Sequence, residues 1–531
     1  MKNKYLNYLM TTTLLVSLLF INGCKNPTDG LIVTVNSDLS ENNYGFNVLN
    51  ANPDLDESPQ NLTIKITGPN AESVYSLDGT KKFNSEVGLF SLILKPGVTP
   101  SESNPIKFTV IIEAAGYLKS ITPIEILAVG NESFRIYMVK TSAPPIGVAL
   151  KEQTILLPSN GEIEETTVIE IPLTNGKQET AKIEIPKGTK MLDEEGNIVT
   201  GSVNIAMAHF DNQSQESLNS FPGGFTATNL VDKNGNAMDP VLFITAGFVS
   251  IDMSNGAQTV KSFSNPISVT MEINSNTYNT ETESDVKEGD SIPTWSLDTE
   301  TGQWKEEDVV VIVKNTTSNK LESVINISHL SYWNWDYKTN TCGTGSTIRF
   351  TSDATTYTSR YFEVFNSAKN GLLLMNGYLD VRNGASWTFY NAPRNFKAKL
   401  IVYSGPNYYD KGKIIGQSGL FQLCGSSISL KVDVPIIFTV TIDVSGKCKD
   451  GGNVIRPSFT VYYKEKGGKS FNELGYLKNG RLTTDKFVLG KTYIFATSYG
   501  GKLYEYERQV TQKNYTEVIA LPSGTPGCNG W

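Results

Sequence analysis

The stretch SHLSYWNWDY, Ser328 to Tyr337, holds four aromatic residues and one of the chain's two histidines. Together with the preceding Ile325 and Ile327, it alternates. Ile325, Ile327, His329, Ser331, Trp333, Trp335 and Tyr337 share one parity; Asn326, Ser328, Leu330, Tyr332, Asn334 and Asp336 share the other. Successive side chains of a strand point to opposite faces, so both indoles stand on the side of the isoleucines. Large aromatics mostly bury, and this side reads as a core face. Asn334 and Asp336 are expected to point outward. The competing reading is a sugar-binding platform, which would need the same indoles exposed.

Period two recurs along the chain. Ser202 to Phe210 reads SVNIAMAHF, with Val203, Ile205, Met207 and His209 on one face. Asn-Gly pairs follow at 160–161, 175–176, 234–235, 255–256 and 479–480. Both residues tolerate positive φ, which makes Asn-Gly between apolar runs the strongest short hairpin signal. Beyond residue 24 no long stretch has a 3.6-residue period, so the chain reads as all-β. At 531 residues it exceeds one hydrophobic core; domains run about 100–200 residues. Tandem β-sandwich domains are expected over 31–143, 144–337, 338–433 and 434–531, with Ala143-Pro144-Pro145 a stiff linker. The Asn-, Thr- and Glu-rich run from Asn274 to Asp290 reads as an exposed loop.

The first 23 residues read as a signal peptide. Lys2 and Lys4 precede an apolar run from Leu9 to Ile21 that is too short to span a bilayer. Ile21-Asn22-Gly23-Cys24 resembles the lipobox of bacterial lipoproteins. That resemblance implies that Cys24 takes a diacylglyceryl group and becomes the mature N-terminus, with residues 24–30 a short tether. It also implies a place in the cell envelope, at the outer membrane, because Lys25 is not an aspartate-type retention signal. The alternative is an ordinary secretory signal in which Cys24 is incidental. No later segment reaches 18 apolar residues, which leaves the lipid as the membrane attachment. Cys342, Cys424, Cys448 and Cys528 suit disulfides in an oxidising compartment. The preferred pairing is Cys342–Cys424 with Cys448–Cys528, one of three connectivities open to four cysteines.

Charge and motifs weigh against most chemistries. The net charge is −8 with scattered Lys and Arg, whereas a nucleic-acid binder shows a concentrated basic face. Gly416-Gln417-Ser418-Gly419-Leu420 misplaces the second glycine of a nucleophile elbow. Gly468-Lys469-Ser470 has Tyr463 where a phosphate-binding loop needs glycine. His209 and His329 both sit on apolar strand faces, and no spacing supports a metal site. The turns Asp193–Asn197 and Asp232–Asn236 offer oxygen ligands for calcium, but lack the order of an EF-hand; Asp, Asn and Gly are equally what a hairpin turn demands. No cofactor is expected.

Three linked pieces carry a family resemblance: IEIPKGTKMLDEEGNIVTGSVNIAMAHFD (Ile183–Asp211), IPTWSLDTETGQW (Ile292–Trp304) and ISHLSYWNWDY (Ile327–Tyr337). Together they resemble a module of cartilage intermediate layer protein and of bacterial envelope proteins with carboxypeptidase-regulatory-like domains. Ala114-Ala115-Gly116-Tyr117 is a strand end of the kind such domains show, and the first and last modules resemble carboxypeptidase-regulatory or fibronectin-like sandwiches within an expected set of tandem Ig-, fibronectin- or carboxypeptidase-regulatory-like domains. The resemblance implies extracellular architecture without catalytic residues, in which Trp295, Trp304, His329, Trp333 and Trp335 are fold determinants. The expected function is therefore a non-enzymatic, lipid-anchored envelope scaffold making protein or glycan contacts. The rival is a carbohydrate-binding lipoprotein, its platform Trp387 with Tyr390, or Tyr408 with Tyr409. A glycoside hydrolase is the third reading and would require a carboxylate pair in a cleft.

Overall fold

The computed structural model describes residues 34–36, 42–101, 103–174, 179–342, 345–353, 358–366, 373–389, 392–393, 396–405, 408, 411–434, 439–448, 454–468, 470–499 and 501–521. Among these, strands dominate; the one α-helix is the five-residue turn Gln215–Asn219. Paired sheets build four β-sandwiches. In the first, a four-stranded sheet (Val74–Ser76, Leu89–Leu94, Asn43–Asn50, Asn131–Met138) faces Thr63–Thr67, Ile106–Glu113 and Ser120–Ile126. Between them lie Phe46, Leu92, Val110 and Ile112.

The second sandwich is the largest. Its nine-stranded sheet runs in the order Leu230–Val231, Trp304–Val311, Ser291–Leu297, Tyr332–Cys342, Val241–Ser254, Gly201–Phe210, Val148–Leu157, with Thr226–Ala227 and Ala392–Pro393 attached alongside. A six-stranded sheet centred on Ser262–Ile273 and Leu321–His329 faces it. The opening stretch is the crossover between the two. His329 pairs with Ser262 in the facing sheet; Tyr332 pairs with Leu297 in the large one. The stretch is thus two strands broken at Leu330-Ser331, and each turns its apolar side to the shared core. Trp333 is 2% exposed and Trp335 is 0% exposed, in one cluster with Ile325 and Ile327.

One expectation fails here. Asn334 and Asp336 do not point to water; both are fully buried. Their side of the sheet packs on the first sandwich, in a core that joins Ile111, Ile121 and Val139 to Phe243, Trp295, Trp304 and Tyr332. Alternation tells the two faces apart, but does not tell how many are covered. Asn334 Nδ2 donates to Asp336 Oδ2, Thr245 Oγ1 donates to Asn334 Oδ1 at 3.3 Å, and Asn212 Nδ2 donates to the Thr245 carbonyl at 2.8 Å. Burial drives the Asp336 carboxyl well above its ordinary value, against the lowering effect of Thr245. Nor is Asn274–Asp290 a plain exposed loop. It makes a small hairpin, Tyr278–Asn279 with Ser284–Asp285, and Asn279 donates inward to Asp290 at 3.2 Å.

The third sandwich sets Ser386–Phe389, Ser346–Thr351 and Ser427–Lys431 against Leu373–Val381, Thr358–Asn366, Lys397–Tyr403 and Ile414–Gln417. Cys342 and Cys424 are joined across its entry, with Cα atoms 5.8 Å apart. In the fourth sandwich, Asn472–Leu477, Phe459–Glu465, Thr492–Tyr499 and Lys502–Gln509 face a sheet built on Val440–Cys448. The span expected to open the first sandwich, from residue 31, contains the short strand Thr34–Asn36. It lies parallel to Val454–Arg456, in the fourth sandwich and not the first.

That placement fits a chain that closes on itself. The first sandwich packs on the second through the core just described, and on the fourth through Tyr462, whose hydroxyl donates to the Phe46 carbonyl at 3.2 Å, and Asn47, which donates to the Phe471 carbonyl at 2.7 Å. The second and third share one continuous core. The third meets the fourth where Arg360 Nη2 lies 3.7 Å from Asp485 Oδ2.

Candidate functional site

A sheet ends in an edge strand whose outer N–H and C=O groups have no partner within it, and natural edges are guarded by charge. Six edge strands of this protein converge on one space: Ser120–Ile126 and Asn131–Met138 of the first sandwich, Leu373–Val381 and Ser386–Phe389 of the third, Asn472–Leu477 and Arg481–Thr484 of the fourth. The helix Gln215–Asn219 and the loop to Thr226 close it from the second. They enclose a cavity of about 1000 Å³ lined by residues of all four sandwiches.

The guarding charges face inward. Glu132, Asp380, Glu473 and Asp485 line the cavity, against the two cations Arg135 and Lys486. Both cations are engaged. Arg135 stacks over the Tyr378 ring at 4.3 Å and donates to Asn472 Oδ1 at 3.2 Å; Lys486 Nζ donates to the Glu473 carbonyl at 2.8 Å. Desolvation lowers the Lys486 ammonium despite the acids around it. Desolvation, then repulsion from Glu473, raises the Glu132 carboxyl. Glu132 has an exposed surface, yet this shift is that of a group ringed by protein. A wide cavity explains both, because water reaches the carboxyl while little solvent lies behind it.

The apolar part of the wall is chiefly aromatic. Trp387 packs its edge on Phe362, ring centroids 4.8 Å apart, and its remaining surface reaches the cavity. Tyr408 donates to Glu216 at 3.2 Å and carries Lys411 over its ring at 4.4 Å. Burial, then Glu216, raises its phenol. Tyr361 and Tyr378 lie 5.9 Å apart. Trp387 and Tyr408, drawn from separate platforms in the sequence, thus border one cavity. Tyr390 and Tyr409 lie outside the described residues, as do Cys24, Cys528 and the side chain of Cys448.

The other expected residues sit elsewhere. Trp295 and Trp304 are buried against Phe243. His329 ends its strand partly exposed, with Nε2 3.5 Å from Glu307 Oε1, Nδ1 3.2 Å from Ser331 Oγ, and its ring 5.1 Å from that of Trp333. His209 is buried. The two acidic turns share one geometry. Asp193 Oδ1 accepts from the amides of Glu195 and Asn197 at 3.1 and 2.8 Å, and Asp232 Oδ1 from those of Asn234 and Asn236 at 2.8 Å each. The second oxygen of each accepts from the Asn four residues on, and that of Asp193 also from Gln258 Nε2 at 2.8 Å, so both carboxylates are engaged within the protein. Among the described residues no three His, Cys, Asp or Glu side chains gather as a metal centre would need.

Motif reading missed Glu132, Arg135, Tyr378, Asp380, Glu473 and Lys486, which are adjacent in space and scattered in sequence. One local signal exists: in Gly377-Tyr378-Leu379-Asp380-Val381, Leu379 and Val381 are buried while Tyr378 and Asp380 are exposed. A second cavity, apolar and about 490 Å³, opens between the sheets of the fourth sandwich beside Ile442, Phe459, Val461 and Phe495.

No family model matches the sequence, and no curated protein does. Solved structures give distant likenesses. A leucine-rich repeat protein from Bacteroides thetaiotaomicron is 12% identical over 34% of this chain and 26% of its own, with a TM-score of 0.12. The Bacillus anthracis TIE protein is 11% identical over 71% of this chain and 74% of its own, with a TM-score of 0.13. The Bacillus cereus major pilin subunit BcpA is 8% identical over 90% and 99%, with a TM-score of 0.13. This chain spans about a quarter of the Bacteroides protein. Scores of this size are too low to argue from, and the assignment of tandem β-sandwiches rests on the paired sheets themselves.

Proposed function

We propose that the chain is a non-enzymatic, lipid-anchored scaffold of the bacterial cell envelope that works by binding. The supporting observation is that four sandwiches close into one body around a shared cavity, where separate modules on linkers would leave each face free. In this reading Cys24 carries the anchor at the outer membrane, and the second sandwich serves as the architectural module that its sequence resembles. Labelling with a palmitate analogue, compared between the full chain and Cys24→Ser, tests the anchor. The variant should lose both the label and its place in the membrane fraction; an unchanged distribution would count against lipidation.

One observation favours a second reading, a glycoside hydrolase. Glu132 and Glu473 line the same cavity, where desolvation and then repulsion from Glu473 raise the Glu132 carboxyl, and such pairs divide into acid and base or nucleophile. Release of reducing ends from an oligosaccharide, abolished by Glu132→Gln, would establish it in place of the first.

A further inference from the structure

We propose that the central cavity is a binding site for a neutral oligosaccharide, with Trp387 and Tyr378 as stacking surfaces and the carboxylates of Asp380 and Glu132 as hydroxyl acceptors. This deepens the scaffold reading by giving it a ligand, and it rests on the cavity alone, not on the anchor.

Three features of the wall select this chemistry. Its apolar surface is mainly rings (Tyr137, Phe225, Tyr361, Tyr378, Trp387 and Tyr408), and flat rings match the C–H faces of a pyranose better than a flexible chain. The contrast lies within the molecule: the cavity of the fourth sandwich is lined by Val440, Ile442, Val444, Val461 and Leu477 among its aromatics, which is the lining that suits a hydrocarbon.

Charge comes second. Glu132, Asp380, Glu473 and Asp485 outnumber Arg135 and Lys486 in the wall, and Lys486 is already held by the Glu473 carbonyl. A phosphate, sulfate or uronate would enter against the net negative charge of these lining residues. A neutral polyol brings donors to an acceptor-rich wall.

The third feature is size. Six edge strands bring the outer rims of their sheets to this space. The volume, about 1000 Å³, lies at the upper end of ligand pockets, roughly 300–1000 Å³. It therefore suits several sugar units rather than one.

The test is calorimetric titration of the full chain with malto-, manno-, cello- and xylohexaose, and with a polygalacturonate oligomer of equal length. At least one neutral hexasaccharide should bind. Trp387→Ala should weaken it about tenfold or more, the scale of one lost stacking contact, and Asp380→Asn several-fold. Because Trp387 also packs on Phe362, the exposed Tyr378→Ala serves as a second platform variant, judged at unchanged melting temperature. The proposal is overturned if none of the neutral hexasaccharides binds, if the polygalacturonate oligomer binds more tightly, or if Trp387→Ala and Tyr378→Ala both leave the affinity unaltered. Chromatography of the ligand after titration separates this site from the wider reading. An intact hexasaccharide leaves the scaffold reading standing, whereas a cleaved one keeps the cavity site and replaces the scaffold with a hydrolase.

Discussion

Asp336 sits in a place where a carboxylate is costly. It is fully buried, its carboxyl is raised by desolvation, and among the described residues its Oδ1 lacks a hydrogen-bond partner. The unfolded side chain ionises near pH 4, whereas the folded one holds its proton to much higher pH. The contribution of this group to stability is therefore complete below about pH 4 and falls as pH rises toward the folded value. Asp336→Asn should abolish that slope: the variant's melting temperature should exceed the wild type's at pH 8, and the gap should shrink on acidification to pH 4. A gap independent of pH would show that the carboxyl ionises in place. Trp335 makes the opposite case. It is fully buried beside Ile325 and Ile327, and Trp335→Ala should cost about 3–5 kcal/mol in chemical denaturation. Alternation alone places Trp335 toward the isoleucines; the fate of its neighbour Asp336 depends on a partner sandwich contributed by residues two hundred positions away, which no local pattern announces.

At the level of elements, two devices hold segments together. The Cys342–Cys424 bridge ties the entrance of the third sandwich to a bend 82 residues later, between the strands Phe421–Gln422 and Ser427–Lys431. Cys424→Ser should lower stability by about 4.5 kcal/mol, the loop-entropy value for that span, and the same loss should follow reduction of the wild type. Gly223 lies in the loop that helps close the cavity. Its φ is +79°, and a β-carbon there would stand 2.5 Å from Trp304 Cζ2. Gly223→Ala should lower the melting temperature by several degrees, through strain and displacement of the indole. Strands and turns were legible because each is written in nearby residues: Asn479 and Gly480 both adopt positive φ, at +49° and +75°, as an Asn-Gly turn demands. The cavity was not legible. Tyr378, Glu132 and Glu473 come from three different sandwiches, and only the packing of sheet edges brings them together.

The whole molecule departs most from a reading of beads on a string. Because the first sandwich binds both the second and the fourth, the chain forms a closed body. Small-angle scattering should give a radius of gyration of about 24 Å, the value for a compact chain of this length; a linear file of four sandwiches would roughly double it. Closure also accounts for the linker. Asn52 Nδ2 donates to the carbonyl of Ala143 at 3.2 Å, so Ala143-Pro144-Pro145 is fastened to the first sandwich and fixes its angle to the second.

The strand Thr34–Asn36 takes this closure one step further, into mechanics. It runs parallel to Val454–Arg456, so tension applied at the start of the chain is delivered to the last sandwich before it is felt by the first. Three residue pairs loaded along their own axis resist sliding but give way sooner than a packed interior. Pulled from that end in a force experiment, the protein should show a small early rupture with a short gain in length, and only then the larger steps of whole sandwiches coming apart.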